Sequence, residues 1–267
     1  MTLRPHALAL ACLAFLAIPG RADDALSQTT ISFYANDRPV GGFIFPIGSP
    51  VLPSAISNDT REGDKEARYA GNVQGRFTPP PGQPIVLFGE YMVVTTEAIS
   101  AERAKAVQDL NAMWESDQQY RGRTLDRTEL TADEWKLQTA VDVANLKRLI
   151  EIIDRFGWPG LRFAGGASQG AFLVLQHADS DTQRKYLPLL RDAVRRQDAM
   201  GSHLAMLEDR VRVADGKPQL YGTQLAGKPL AFAPIEDEAH VDERRRSVGL
   251  PPMAEYARMF GLSYPAK

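Results

Sequence analysis

His177 and Asp179 stand two residues apart in QHADSD, and Asp209 and Gln224 bracket the run DRVRVADGKPQLYGTQ. A histidine beside a carboxylate can exchange protons near neutral pH, which is the chemistry of a general acid or base. In that reading His177 carries the proton, and Asp179 or Asp209 orients it or offsets its charge. Arg121, Asp142, Asn145, Tyr221 and Gln224 would then bind a polar substrate, for hydrolysis or group transfer. A competing reading needs no reaction. A histidine at a helix C-terminus gains from the helix dipole when charged, and inward polar groups can form a structural network in a ligand- or protein-binding module. A third alternative is metal ligation by His177, Asp179 and Asp209, with His203 as a further donor. Their spacing fits no zinc signature, and no metal or other cofactor is expected.

These residues fall on distinct elements. Asp215-Gly216 reads as the type I′ turn of a β-hairpin over 209–224. Alternation along its strands puts Asp209, Val211, Val213, Leu220 and Gln224 on the core-facing side, with Asp209 and Gln224 at its open end. Upstream, helical spacing predicts a helix over 100–119 that buries Val107, Leu110 and Trp114, with Asp117, Gln118 and Arg121 as its charged, solvated end. Thr131-Ala-Asp-Glu134 is a capping box that opens a second helix running to Phe156. On that helix Gln138, Asp142 and Asn145 share a stripe with Trp135, Leu149, Ile152 and Phe156, and buried polar groups require partners. Further helices are expected over 166–178, over 180–197 from a second capping box at Ser180, and over 202–208. Arg244-Arg245-Arg246 reads as part of a salt-bridged surface helix of little energetic weight.

Residues 28–96 have another texture, with β-branched and aromatic runs separated by Gly, Pro, Asn and Asp. The expected fold class is α+β: a small β-rich N-terminal module over 23–96, sandwich-like or a meander, and a mainly helical domain over 97–267 with one hairpin. Thr78–Pro84, with four prolines in seven residues, reads as a loop. At the start, Arg4 precedes the apolar run Ala7–Ile18, and Gly20 and Ala22 follow, the pattern of a signal peptide cut after Ala22. Its apolar run is shorter than the ~20 residues of a membrane span, so no span is expected in the mature chain, which would be periplasmic or secreted. Cleavage removes Cys12, the one cysteine, and with it disulfide and thiolate chemistry. It also removes Arg4 and Arg21 and no acid, leaving 29 basic against 33 acidic residues. That negative balance argues against nucleic acid as a partner, and leaves a small polar ligand or a protein. Gly-x-Gly-x-x-Gly, Walker, His-Glu-x-x-His and Gly-x-Ser-x-Gly patterns are absent from the sequence. Gly165–Gly170 lacks the lysine and the preceding strand of a phosphate loop, so it reads as close packing at a helix start.

DQQYR at 117–121, DVANLKRLIEIIDRFGWP at 142–159, QHAD at 176–179, DRVRVADGKPQLYGTQ at 209–224 and VDERRRSVGLPPMAEY at 241–256 occur in that order. Over residues 100–260 this pattern resembles a bacterial family known as domain of unknown function 6624. The resemblance implies motif positions and no reaction: Asp117, Gln118, Arg121, Asp142, Asn145, His177, Asp179, Asp209, Arg210, Tyr221, Gly222 and Gln224.

Overall fold

A computed structural model describes residues 27–44, 66–77, 85–124, 130–228 and 230–264. The expected signal segment and the proline loop at 78–84 lie outside these residues. Four antiparallel strands, β1 (Ser27–Ala35), β2 (Arg38–Ile44), β3 (Glu66–Phe77) and β4 (Ile85–Ala98), form one sheet in the order β2-β1-β4-β3. This is a single sheet whose order departs from a simple meander. Asn36 and Asp37, both at positive φ, make the two-residue turn between β1 and β2. Beside this turn Gln197 donates to the Asp37 carbonyl at 2.7 Å, and Arg38 donates to the Arg246 carbonyl at 2.9 Å. β1 and β2 also pack against residues 161–167, so the sheet is joined to the helical region along these two strands.

The rest of the described chain is mainly helical. α1 (Ala101–Thr124) and α2 (Ala132–Phe156) run antiparallel, joined along their length by Glu102–Arg155, Asp109–Arg148, Ser116–Asn145 and Arg121–Asp142. The capping box at Thr131 forms as expected, with the Glu134 carboxylate accepting from the Thr131 N–H at 2.9 Å. A single helical turn, α3 (Leu161–Ala164), and a 3-10 turn lead into α4 (Ser168–His177). Then come α5 (Ser180–Arg195) and α6 (Gly201–Ala214). A small hairpin, β5 (Leu225–Ala226) with β6 (Ala231–Phe232), precedes α7 (Val241–Ser247) and α8 (Met253–Met259). The core joins Leu110, Leu149, Ile152, Phe172, Leu175, Leu190 and Leu207, drawn from α1, α2, α4, α5 and α6. Among the described residues no helix is long and apolar enough to cross a membrane.

α1 and α4 run parallel at unusually close range. A Cβ on Gly170 would lie 2.1 Å from the Leu110 carbonyl oxygen, so only glycine permits this approach. Seven residues further along each helix stand Asp117 and His177. The close contact therefore sets the spacing at which those two side chains meet.

The class is α+β with one hairpin in the helical region, but that hairpin lies at 225–232 and not at 209–224. Asp209–Ala214 forms the last turns of α6, whose buried face carries Leu204, Leu207 and Val211 at helical spacing. Asp215-Gly216 ends the helix instead of turning a hairpin. Gly216 sits at φ 71, its N–H bonds the Val213 carbonyl, and the Lys217 N–H bonds the Arg212 carbonyl at 2.8 Å. This is a Schellman stop. A glycine in the left-handed region serves both kinds of turn, so the dipeptide could not tell them apart. The alternation of Arg210, Val211, Arg212 and Val213 imitated a strand over too few residues to exclude a helix.

Three smaller expectations are also corrected. The N-cap of α5 is Asp179, whose carboxylate accepts from Asp181 N–H at 3.0 Å and Thr182 N–H at 2.9 Å, so the cap lies one residue before Ser180. Trp135 is half exposed, because the N-terminal half of α2 extends beyond the core. Arg245 is fully buried, donating to the Pro251 and Tyr221 carbonyls and lying over the Tyr256 ring.

Candidate functional site

Asp117 continues the inward stripe of α1, after Leu110 and Met113, and is 1% exposed. Its Oδ1 receives His177 Nδ1 at 2.7 Å and an Arg121 N–H at 2.8 Å; its Oδ2 receives the Gln118 amide at 2.7 Å. A carboxylate offers only acceptors, so the proton of this pair sits on His177 Nδ1, and in the neutral tautomer the lone pair is at Nε2. Among the described residues Nε2 has no partner, and the His177 side chain is 19% exposed. Arg121 then bridges to α2 and grips both oxygens of Asp142, at 2.9 and 2.6 Å. Such a two-pronged pair is among the strongest polar contacts available to a protein. The fully buried Gln138 extends the network, donating to Asp142 Oδ1 at 2.8 Å.

These groups border a cleft of about 220 Å³. Asp117, Asp142, Asn145, His177 and Asp179 form its polar part, and Val143, Leu146, Val174 and Ala178 its apolar wall. Asn145 is held in place by the Ser116 hydroxyl at 3.0 Å. Asp179 reaches the cleft rim as the N-cap of α5. Bonds from the Thr182 hydroxyl and from backbone N–H groups hold its carboxyl below the usual carboxylate range.

The remaining expected residues form a second cluster. Asp209 is fully buried on α6 and gathers the loop that follows the helix. It accepts from the N–H of Leu220 at 2.6 Å, of Tyr221 at 3.0 Å and of Thr223 at 3.0 Å, and from the Thr223 hydroxyl at 2.9 Å. Gln224 donates to the Met206 carbonyl at 3.3 Å and to the Thr223 hydroxyl, and the Tyr221 carbonyl receives Arg245. Burial raises the Tyr221 phenol above its ordinary range. Gly222, at φ 68, packs where any Cβ would strike the Met253 sulfur. Asp209, Tyr221 and Gln224 are therefore not brought to His177. The carboxylate beside His177 is Asp117, not Asp179 or Asp209.

Of the four residues considered as metal ligands, only His177 and Asp179 share the cleft. His203 lies stacked on Phe172 with ring centroids 3.8 Å apart, and burial pushes its imidazole down to about 3. Among the described residues no group of three His, Cys, Asp or Glu side chains is placed to hold a metal ion.

All these residues lie inside one matched segment. The sequence pattern described as "Family of unknown function (DUF6624)" fits residues 104–267. The chain belongs to this family. No curated protein and no solved structure matches it. The DUF6624 segment contains both polar clusters, and the four-stranded sheet precedes it. Eleven of the twelve positions that the resemblance implied, all but Arg210, fall into two groups in space. Asp117, Gln118, Arg121, Asp142, Asn145, His177 and Asp179 gather at the cleft, while Asp209, Tyr221, Gly222 and Gln224 gather around the loop after α6. The residue that sequence periodicity overlooked is Asp117. The signal was present: Leu110, Met113 and Asp117 stand at i, i+3 and i+7 on one helix face.

Proposed function

We propose that the cleft is a catalytic site in which His177 acts as general acid and base and Asp117 holds its ring. The observation that carries this is the 2.7 Å bond from His177 Nδ1 to the buried Asp117, which leaves Nε2 at the cleft without a protein partner. In this role Nε2 takes a proton from a water or a substrate hydroxyl as that oxygen attacks an electrophilic centre. The same proton then passes to the departing group. The imidazolium formed in between is stabilised by Asp117. No cysteine remains in the described chain, and the Ser116 hydroxyl is bonded to Asn145. The nucleophile is accordingly a water or a substrate group, which favours hydrolysis or group transfer without a covalent enzyme intermediate. Arg121 serves as a positioning residue that fixes Asp117 against Asp142, while Asn145 and Asp142 face the substrate.

The test is a turnover screen of the mature chain against carboxylic esters, amides, glycosides and phosphoesters. Expected is an activity that His177→Ala lowers by about 10²–10⁴-fold and that Asp117→Asn also lowers, both variants remaining folded at the assay temperature by circular dichroism. A His177→Ala protein as active as wild type would end the catalytic reading. The binding-only alternative draws on Arg121, whose contacts turn toward Asp117 and Asp142. It predicts ligand uptake without turnover. Export belongs to the same proposal, and N-terminal sequencing of periplasmic or secreted material is expected to begin at Asp23.

A further inference from the structure

We propose that the substrate of this cleft carries a positively charged head, an amine or guanidinium, on a short apolar body. The inference rests on the same cleft being the ligand site and adds the chemistry of what enters it. Its polar lining contains three carboxylates, Asp117, Asp142 and Asp179, and among the described residues no lysine or arginine. The nearest cation, Arg121, directs its guanidinium at Asp117 and Asp142. Asp117 is 1% exposed and already bonded, so an approaching anion would meet the carboxylates of Asp142 and Asp179, with no lysine or arginine in the lining.

The other common receptor for an anion is a helix N-terminus. α5 opens at the cleft rim, but its first N–H groups are already taken by the Asp179 carboxylate. Phosphate and carboxylate groups thus lose both of their usual receptors. A cation finds the reverse: Asp142 is 26% exposed and Asp179 lies at the surface, both within the lining. The volume limits the rest of the ligand. Pockets for drug-sized molecules run to about 300–1,000 Å³, so ~220 Å³ suits one side chain or a small amine. Val143, Leu146 and Val174 offer its methylenes an apolar wall.

The experiment follows the His177 imidazole signals by NMR in the mature chain, with n-butylammonium, agmatine, butyrate and inorganic phosphate as probes. Expected is a saturable shift with the two cations, weakened at least about fivefold by 200 mM salt or by Asp142→Asn, since exposed charge pairs are screened. Butyrate and phosphate leave the signals in place. Because Asp142→Asn could loosen Arg121, Asp179→Asn is measured beside it. Asparagine caps a helix as well as aspartate does, so that variant removes the charge and keeps the fold. Saturable shifts with phosphate or butyrate, or cation binding indifferent to both substitutions, would overturn the proposal. Cation binding without any turnover sinks the catalytic reading and leaves this one standing. Turnover of an anionic ester with no cation binding does the opposite.

Discussion

The molecule holds two polar clusters of similar composition and different character. Around Asp209 every carboxylate lone pair is directed at a donor of the following loop, and the group is sealed from solvent. Around His177 the network closes on three sides and stops, leaving Nε2 and one face of Asp142 at a cleft. A polar network with every member bonded fixes a fold, and one that ends at a void has capacity left for a ligand. The same residue types support both, so composition alone does not say which is which.

The contrast is tested first by removing each centre. Asp209→Ala strips the acceptor from three N–H groups and one hydroxyl, and should cost about 3–5 kcal/mol in urea unfolding. His177→Ala removes one partly exposed hydrogen bond and should cost about 1 kcal/mol or less. Equal losses for the two would erase the distinction drawn here. Next in size is Gly170→Ala. Its methyl must push α4 away from the Leu110 carbonyl, for a loss of about 1–3 kcal/mol. It should also lengthen the His177–Asp117 bond, so the His177 Nδ1 proton resonance should move while the Asp209 loop keeps its hydrogen-exchange protection. Loss of protection in that loop would mean that the two clusters are not independent.

A pH-dependent effect singles out His203. His203 titrates at its ordinary 6.5 when unfolded and at about 3 when buried against Phe172. Between those values the unfolded chain binds the extra proton, so stability is complete above pH 6.5 and falls as pH drops toward 3. The slope is at most about 1.4 kcal/mol per pH unit. His203→Phe keeps the stack and should flatten that part of the curve relative to wild type. A His203→Phe protein with the wild-type acid profile would show that His203 is not what the acid limb reports.

Much of the fold was legible locally. The shift from strands to helices near residue 100, the capping box at Thr131 and the stop and restart at Gly249–Pro252 all follow from propensity and cap chemistry over a few residues. The hairpin at 209–224 was misplaced because Arg-Val alternation and Asp-Gly are shared by two local structures. Which one forms depends on Leu204, Leu207 and Val211 finding a core to bury against. Arg245 was misjudged for a related reason: its sequence neighbours are charged, but its actual neighbours are the Tyr221 carbonyl, the Pro251 carbonyl and the Tyr256 ring.

By itself the sequence determined that Gln138, Asp142 and Asn145 point inward, that His177 ends its helix, and that the chain belongs to its family. Periodicity fixes the face of a helix, and end signals fix where it stops. Only the tertiary structure decided which inward groups meet. The partner of His177 is 60 residues away, selected by the close approach of α1 and α4 at Gly170. Asp209, closer in sequence, faces a different loop. Distance along a chain says little about the meeting of side chains on separate helices, because that is set by how the helices pack.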